Sequence, residues 1–554
     1  MKAQFTMGGS LLLQATFSSE IDWCGINWTD CHRRVRSLQR RIVQAVKAGA
    51  WRKVKRLNYL LVNSFSARVL AVKRVTENKG KKTPGVDGEI WDTPELKVKA
   101  VERIAHIRGY QAKPLKRKYI AKSNGKQRPL SIPVMEDRGR QAVHLQALSP
   151  IAETLADYNS YGFRPKRQCA DAIDQCFKIL RLTMSANWIY EGDIKGFFDN
   201  IAFGWIENNV PMNKRLLSKW LRSGYWEDER LYPTTQGVPQ GGLISPVIGN
   251  LVLDGLEQVV KGKSERFRRK HQINFVRYAD DFIITANNRE VLEDLTPGIE
   301  AFLSERGVSL SEEKTKITPL CEGFDFLGQN VRKHKRRNGK AGKLQITPSK
   351  ASFQAIKSKI KTICKSHKGV TPKELINKLN PVLRGWANYH RHVICGETFN
   401  QVDSFVWGRV YRWCKRRHPD KTGRWIADRY FLSKQRKGWR FTDPNTGTSL
   451  IKIGELVKQQ RHVKIKGAAN PFDPEWDEYF ENRDKKQVQA VTAGLMAKVH
   501  NAQDGICPVC EQVIQYDEEL VLYHRDGKRK NFKLANLGFF HPNCHQQMYY
   551  NVAR

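Results

Sequence analysis

The sequence predicts an α+β multidomain protein, and three observations support this fold class. The chain has 554 residues, whereas a single hydrophobic core rarely serves more than about 250–300 residues. Segments with the helical spacing of apolar residues are interleaved with short segments in which polar and apolar residues alternate as in strands. Hydrophobic residues make up 40% of the chain and aromatic residues 10%, which is enough for real cores and argues against wholesale disorder.

Helix and strand patterns follow one another in the first part of the chain. Residues 30–76 repeat apolar residues at spacings of three and four, which predicts basic helices, and the Pro- and Gly-containing stretch TPGVDG ends them. The segment LKRKYIAKSNGKQRPLSIP predicts two strands around a turn at Asn124-Gly125. Helical patterns resume at 138–157 and 166–182, and short strands and helices are expected up to about residue 330.

The composition changes after residue 331. Residues 332–345 (RKHKRRNGKAGKLQ) are basic, contain glycine and have few apolar residues, so we predict a loop or linker there. Residues 349–420 return to helical spacing with many Lys, Arg and Trp residues, and residues 421–500 are mixed. Residues 501–554 carry a compact group of Cys and His residues, which predicts a small separate module.

The net charge is the strongest compositional signal. Lys and Arg number 96 against 55 Asp and Glu, a formal net charge of +41. An excess of this size would repel itself without a counter-charge, so a polyanion, most simply nucleic acid, is the expected partner.

The distribution of the cysteines and the absence of long apolar runs indicate the cellular compartment of the protein. Eight of the eleven Cys residues are scattered and three lie in the last fifty residues, which favours reduced thiols over a disulfide framework. The N-terminal stretch has one Lys and a three-residue Leu run, too short for a signal peptide. No stretch approaches the roughly 18 apolar residues of a membrane span. We therefore expect a cytoplasmic protein without a membrane partner.

Two aspartate-containing segments predict a metal site. In FVRYADDFIIT, Asp280 and Asp281 lie between β-forming runs, as at the tip of a tight hairpin. Asp193 likewise follows the β-like run WIYEG. Burying like charges together is costly unless a cation compensates, and Mg²⁺ prefers carboxylates together with substrate phosphates. Each aspartate taken alone fits a turn or a salt bridge, but the set combined with the basic charge favours the metal.

The C-terminal segment predicts a second, different metal site. Cys507-x-x-Cys510 and His541-x-x-Cys544 have the spacing of two halves of a structural zinc site. In a module of about fifty residues, metal binding would supply much of the folding free energy. A disulfide is the alternative, and the cytosol disfavours it.

The order of several motifs resembles that of group II intron reverse transcriptases. YADD resembles the catalytic motif of these enzymes and DIKGFFD their first aspartate motif, and the resemblance covers nearly the whole chain. The segments that carry it, in order, are TPGVDG (83–88), KSNGKQRPLSIP (122–133), YGFRPKR (161–167), DIKGFFDNI (193–201), GVPQGGLISPVIGNLVLD (237–254), YADDF (278–282), FDFLG (324–328) and the maturase-like LNPVLRGWANYHRH (379–392).

The resemblance implies a right-hand polymerase with fingers, a palm containing an antiparallel sheet, and a helical thumb. It implies that Asp193, Asp280 and Asp281 are the polymerase carboxylates that bind Mg²⁺. It also implies that Lys122 and Arg128 hold the incoming triphosphate, for which the planar fork of Arg is suited.

Three further positions take nucleotide-binding roles from the same resemblance. Phe197 matches the aromatic residue that excludes a ribose 2′-hydroxyl, although an ordinary core position explains a Phe equally well. Gln240 and Gly241 resemble the loop that lines the nucleotide and template, where glycine permits a close backbone approach.

Aromatic and basic residues are interleaved in the maturase-like segment, which predicts RNA binding. Arg384, Trp386, Tyr389 and Arg391 are the candidates, since phosphate neutralisation and base stacking need these residue types. The alternative is a helical bundle whose Trp and Tyr residues form the core. Both descriptions can hold if the Trp side chains point inward and the basic ones outward.

The tail resembles an HNH endonuclease, a small ββα module. His524, Asn536 and His545 match the residues that activate water, orient it and help hold a divalent ion. The sequence departs from the motif, because a single His follows Tyr523 and precedes Arg525, and the spacer to Asn536 is short. A zinc-held DNA-binding module with impaired cleavage therefore stays open.

These observations give a domain division and a function. We predict reverse transcriptase fingers and palm in 1–335, a thumb/maturase (X) domain in 336–440, a DNA-binding region in 441–500, and an HNH endonuclease with a zinc site in 501–554. The expected function combines intron RNA splicing, target-strand nicking and target-primed reverse transcription in intron homing, a form of retrotransposition. The expected partners are group II intron RNA (in a ribonucleoprotein), target DNA and dNTPs, with Mg²⁺ and Zn²⁺ as cofactors. The alternatives are an RNA-binding splicing factor with a vestigial polymerase and a reverse transcriptase from another context.

Overall fold

The computed structural model describes residues 22–121, 125, 127–262, 264–335, 341–431, 439–489, 495–514, 521–528 and 531–552. Within these residues no helix is long and apolar enough to cross a membrane.

Four helices form the N-terminal part, after a 3-10 turn at Trp23–Gly25. The predicted helical region is divided by Gly49, which has a φ of 65°, and by Ser64, whose side chain accepts a hydrogen bond from the Ala67 amide at the start of the third helix. The helices are α1 (Trp28–Lys47), α2 (Trp51–Val62), α3 (Phe65–Glu77) and α4 (Pro94–Arg103).

A β-hairpin and two helices follow, as predicted. The hairpin strands pair antiparallel, with Ala121 opposite Gln127 at the turn end. The elements are β1 (Leu115–Ala121), β2 (Gln127–Ile132), α5 (Met135–Leu155) and α6 (Cys169–Leu180).

The central part is an antiparallel sheet covered by short helices. Its strand order is β6 (Asn274–Tyr278), β7 (Asp281–Ala286), β3 (Trp188–Gly192) and β8 (Lys316–Pro319), and a second sheet has the order β2, β1, β4 (Tyr225–Glu227) and β5 (Arg230–Tyr232). Phe275, Phe282 and Ile284 are fully buried between the central sheet and its helices. The elements are β3 (Trp188–Gly192), α7 (Phe197–Asn200), α8 (Phe203–Asn209), α9 (Lys214–Leu221), β4 (Tyr225–Glu227), β5 (Arg230–Tyr232), α10 (Ser245–Leu253), α11 (Leu256–Lys261), α12 (Glu265–His271), β6 (Asn274–Tyr278), β7 (Asp281–Ala286), α13 (Arg289–Glu293), α14 (Thr296–Ser304) and β8 (Lys316–Pro319).

The loop predicted at 332–345 is wrong, because the described part of this segment lies in two paired strands. Strands β9 (Phe324–Phe326), β10 (Gln329–Lys335) and β11 (Ala341–Pro348) form one antiparallel sheet, and the predicted domain limit at 335/336 lies between its last two strands. Val331 is fully buried, and Lys333 is buried with its ammonium donating to the Leu182 carbonyl at 2.6 Å. A long basic side chain can therefore share the buried face of a strand with an apolar one, which the composition does not reveal.

A helical bundle follows this sheet, as predicted. Its apolar faces meet in a separate core that includes Leu379, Leu383 and Val406. The helices are α15 (Lys350–Ser366), α16 (Pro372–His390), α17 (Gly396–Arg417), α18 (Gly423–Tyr430) and α19 (Ile453–Leu456).

The segment that follows the helical bundle packs back against α6 in the central part of the chain. Asp171 at the start of α6 is fully buried and accepts hydrogen bonds from the Ile465 amide at 2.7 Å and from Arg483 at 3.2 Å, and its carboxylate lies 2.8 Å from Nε2 of His462. Helix α20 (Asp477–Gln489) carries Arg483. Three residues of the segment predicted to bind DNA, His462, Ile465 and Arg483, thus make contacts within the chain.

The last described part is a ββα module. It contains α21 (Leu495–Ala502), the antiparallel strands β12 (Val521–His524) and β13 (Leu537–Phe540), and α22 (Pro542–Val552). Its buried residues share one hydrophobic core with α1, α3 and α4, although more than 400 residues separate the two parts along the chain.

Candidate active site and metal centre

The strand ends of the central sheet bring the three aspartates together. Strands β6 and β7 form the expected tight hairpin, in which Tyr278 pairs with Asp281 and Asp280 lies in the turn. Asp193 directly follows β3, whose last residue Gly192 pairs with Phe282 of β7. Asp193 and Asp281 therefore lie next to each other at the same edge of the sheet.

Two glycines allow this close arrangement. A Cβ at Gly192 would lie 2.2 Å from the ring of Phe282, and a Cβ at Gly162 would lie 2.3 Å from the backbone nitrogen of Ala279. Ala279 itself has a φ of 58° in the turn, a conformation in which non-glycine residues are uncommon. The loop at Gly162 thus supports the aspartate turn from behind by direct backbone contact.

The electrostatics of the three carboxylates indicate strong mutual repulsion. Desolvation, together with the charges of Asp280 and Asp193, raises the pKa of Asp281 to about 6, although the residue is exposed at the surface. Burial, together with the Asp193 charge, also raises the pKa of Asp280. Lys314 partly compensates, since its ammonium lies 2.8 Å from Asp193 Oδ2. A divalent cation would relieve the remaining repulsion, and an all-oxygen donor set fits Mg²⁺.

A buried arginine behind the hairpin was missed by the sequence reasoning. Arg277 on β6 is fully buried, and its guanidinium lies 2.5 Å from Asp254 and 3.9 Å from Asp157. Its backbone also bridges to the 157–164 loop through hydrogen bonds with Asn159 and Tyr161. A lone Arg within an apolar strand, FVRYAD, was the available signal, because such a residue is buried only with partners.

The predicted nucleotide-binding residues beside the aspartates are partly connected. Arg128 donates to Gln240 Oε1 at 2.8 Å, and the Gln240 amide donates to Asp199 at 3.0 Å. Gly241 has a φ of 130°, and a Cβ there would lie 2.4 Å from the Ser131 carbonyl of β2, so only glycine fits against the hairpin. Lys122 lies outside the described residues.

Phe197 lies in the core beneath the site. Its side chain is 3% exposed and meets the ring of Phe198 edge-on at 5.1 Å. This is the arrangement expected of the core alternative, and the role of Phe197 in sugar selection stays a prediction.

The candidate RNA-binding residues lie on and just after α16 and differ in exposure. Arg384 is exposed, whereas Trp386 is half-buried and donates its Nε1–H to Ser352 Oγ at 3.1 Å. Tyr389 is 42% exposed and donates to the Leu327 carbonyl at 2.9 Å, and Arg391 is half-buried at the helix end. Arg384 and Tyr389 are thus the ones that face solvent most openly, while Trp386 mainly supports the bundle.

The four predicted zinc ligands meet in one place. The ligand atoms of Cys507, Cys510, His541 and Cys544 all lie within 4.8 Å of one another, and all four residues are buried. Three thiolates and one imidazole at these separations fit a closed tetrahedral zinc site. These cysteines are unbridged, as are the others in the part of the chain that the structure describes.

The three residues that resemble an HNH motif lie on neighbouring elements of this module. His524 ends β12 opposite Leu537, which directly follows Asn536, and the ring of His545 on α22 packs against Tyr523 at 5.6 Å. Nε2 of His524 is buried without a hydrogen-bond partner among the described residues. The Asn536 side chain instead bonds within its own loop, to Asp526 and to the Asn531 carbonyl, each at 2.9 Å.

Three family models match the chain. They are described as the N-terminal domain of reverse transcriptase, matching residues 23–104, reverse transcriptase (RNA-dependent DNA polymerase), matching residues 120–331, and the maturase-specific domain of group II introns, matching residues 353–431. The matched regions end before the ββα module.

Two named relatives and one solved structure are similar to this chain. The group II intron-encoded protein LtrA of Lactococcus lactis subsp. cremoris is 28% identical over 430 residues, which cover 62% of this chain and 71% of the relative. The protein YkfC of Escherichia coli is 30% identical over 324 residues, which cover 50% of this chain and 83% of the relative. A solved structure of telomerase from Candida albicans with a fragment of telomeric RNA overlaps at a TM-score of only 0.33 with 12% identity, covering 60% of this chain and 68% of that one.

Proposed function

Because the chain belongs to the group II intron reverse transcriptase/maturase family, we propose that it copies its intron RNA into DNA by target-primed reverse transcription. The observation that carries this proposal is the edge of the central sheet, where Asp193 directly follows β3, Asp281 begins the neighbouring β7 and Asp280 lies in the adjoining turn. The linked Arg128 and Gln240 lie nearby, and the Arg128 charge acts on Asp280.

In the proposed reaction, the 3′-hydroxyl of a DNA primer attacks the α-phosphate of a dNTP, a new P–O bond forms and pyrophosphate leaves. Asp193, Asp280 and Asp281 would hold Mg²⁺, which when bound lowers the pKa of the hydroxyl and stabilises the developing charge. Arg128 would orient the triphosphate through paired N–H donors. Gln240 and Gly241 would line the nucleotide and template, while Asp193 and Lys314 would exchange their ion pair for contacts with the metal and the phosphates.

A primer-extension assay tests the polymerase. We expect the wild-type protein to add dNTPs to a DNA primer on an RNA template, and Asp280→Asn to abolish the addition. Asp294→Asn, an exposed residue at the end of α13, is the matched control and should retain full activity. Absence of incorporation by the wild type would favour the splicing factor with a vestigial polymerase.

We also propose that the helical bundle and its basic surface bind the intron RNA as a maturase. Arg384 and Tyr389 supply exposed cationic and aromatic groups, which suit phosphate and unpaired-base contacts. Intron splicing at low Mg²⁺ should depend on added protein, and Arg384→Ala should weaken this rescue without reducing primer extension on a generic template. Failure of the wild type to rescue splicing would point to a reverse transcriptase from another context.

For the ββα module we propose nicking of the target DNA strand, which would supply the primer. The support is the position of His524 beside the Asn536–Leu537 segment, together with the Nε2 of His524, which is buried without a hydrogen-bond partner among the described residues. His524→Ala should abolish nicking and leave primer extension intact, and Asp280→Asn should do the reverse, so each variant controls for the other. The bonds that keep Asn536 within its own loop favour the second candidate, a zinc-held DNA-binding module, and wild-type DNA binding without nicking would establish it.

A further inference from the structure

The C-terminal metal cluster is packed directly on the N-terminal helices. Cys507, Cys510 and Cys544 belong to the same hydrophobic core as Trp23 and Trp28. The two parts also exchange hydrogen bonds at the rim, where the Gln547 amide donates to the Ile26 carbonyl at 2.9 Å. The cluster is therefore enclosed from both sides.

One ligand-flanking residue is bound entirely by the N-terminal part. Asn543 lies between the ligands His541 and Cys544 and is 3% exposed. The side-chain oxygen, the side-chain nitrogen and the backbone amide of Asn543 all have hydrogen-bond partners in the N-terminal part. These partners lie on α3, on α4 and in the 3-10 turn at Trp23–Gly25. Asn543 Oδ1 accepts from Lys97 Nζ at 2.8 Å and from Trp23 Nε1 at 3.3 Å. Its Nδ2 donates to Glu77 Oε1 at 3.1 Å and to Thr76 Oγ1 at 3.3 Å. Its backbone amide also donates to Glu77 Oε1, at 3.1 Å.

Two lysines are buried at the same junction. Lys73 is 5% exposed and Lys97 is 4% exposed. Lys73 pairs with Glu77 at 2.9 Å, and the charges of Cys510 and Cys544 act on its ammonium. Burying an ammonium group is costly, and negative charge nearby offsets that cost.

The charges around the junction balance when a divalent ion is present. Three thiolates and Glu77 carry four negative charges, and the ion, Lys73 and Lys97 carry four positive ones. A zinc centre with three Cys and one His ligand carries a net charge of −1 by itself, so Glu77 and the two lysines are what bring the enclosed group to neutrality.

We propose that α3 and α4 form the outer half of this metal centre, so that zinc binding fastens the ββα module to the N-terminal helices. Lys73 and Lys97 are buried counter-charges of the zinc–thiolate group, and Asn543 fixes the ligand-bearing segment to Glu77. This inference rests on the proposed zinc site. It assigns zinc a role beyond folding its own module, because the ion then sets where the module lies relative to the polymerase.

The rate of zinc release from the full-length protein tests whether α3 and α4 support the metal centre. Lys73→Met removes the charge and keeps the aliphatic stem, and Asn543→Leu removes the polar atoms at similar volume. We expect both variants to release zinc to a colorimetric chelator at least about 10-fold faster than wild type, as for other residues that support metal ligands. Lys99→Met, on the exposed side of α4, is the matched control and should release zinc at the wild-type rate.

Hydrogen exchange of the wild-type protein tests the fastening independently of any variant. Removing zinc with a chelator should speed amide exchange in α3 and α4, because their partners leave, and should leave α16 unchanged. This measurement also covers the case in which Lys73→Met fails to fold.

The outcomes separate the two proposals. A wild-type protein without zinc would overturn the zinc site itself. One zinc ion per chain, with release rates equal in all variants and with exchange in α3 and α4 unaffected by the chelator, would overturn only the fastening.

Discussion

Asp281 shows how the surroundings of a single carboxylate at the edge of the central sheet favour metal binding. Its pKa is raised to about 6 by desolvation and by Asp280 and Asp193. A raised pKa means that the folded protein holds the proton of Asp281 more tightly than the unfolded chain does. The stabilisation that this proton gives is complete below the unfolded pKa near 3.8, and it is lost as pH rises through about 6. At neutral pH the metal-free site therefore costs stability.

The first prediction follows from this cost. In EDTA at pH 7.5, Asp281→Asn should raise the thermal midpoint of unfolding by a few degrees, because it removes one of three repelling charges, while it abolishes primer extension. A midpoint equal to or below that of the wild type would show that repulsion is not the dominant effect. Asp294→Asn again serves as the neutral control.

The same residue gives a pH-dependent prediction for metal binding. Mg²⁺ should raise the thermal midpoint of the wild-type protein more at pH 7.5 than at pH 5, since the carboxylates must lose their protons to bind it. In Asp281→Asn the difference between the two pH values should shrink. Equal Mg²⁺ stabilisation at both pH values would contradict the titration of these carboxylates over this range.

Among the elements, the β6–β7 hairpin depends on two supports that lie outside it. Arg277 ties β6 to the buried carboxylates Asp254 and Asp157, and the Gly162 loop contacts the aspartate turn through its backbone. Both supports come from segments distant in the sequence, so the geometry of the turn depends on packing as well as on its own residues.

Arg277→Met should destabilise the protein by about 3–5 kcal/mol, because it leaves buried carboxylates without their counter-charge. Denaturant unfolding of the central part, followed by its tryptophan signal, measures this. Arg269→Met should cost less than about 1 kcal/mol, because this side chain is 80% exposed and pairs with Glu265 at the surface. Similar losses in the two variants would refute a special role for the buried pair.

Gly162→Ala should displace the aspartate turn, since its Cβ would lie 2.3 Å from the Ala279 nitrogen. We expect primer extension to fall by at least about 100-fold, as for small misplacements of reacting groups, while zinc content is unchanged. Gly204→Ala, where a Cβ would meet nothing within 4 Å, is the control. Retention of most of the activity would show that the turn tolerates the shift.

The whole molecule is a strongly basic chain whose first and last parts pack together. Its net charge of +41 predicts RNA binding dominated by phosphate neutralisation and counterion release. We expect RNA affinity to fall by about 10³-fold or more between 50 and 200 mM salt, measured by filter binding with intron RNA. A nearly flat salt dependence would show that charge contributes little.

Local sequence patterns predicted much of the fold. The antiparallel strands around YADD, the 115–132 hairpin and the helical bundle followed from periodicity and turn residues, whereas the ββα tail was implied by the resemblance to an HNH endonuclease. The basic strands β10 and β11 did not, because a Lys side chain can lie along a buried face while its ammonium reaches a carbonyl, as Lys333 does.

The sequence by itself determined which ligand types the two candidate metal sites offer, since hard oxygen ligands at strand ends and soft ligands at C-x-x-C and H-x-x-C spacing are local properties. Only the tertiary structure decided the partners: Arg277 with Asp254, Asp171 with the returning segment, and Asn543 with Glu77. These pairs join residues that lie from about 20 to more than 400 positions apart. A buried polar group requires a partner, but its identity depends on how the cores pack, which periodicity and spacing do not encode.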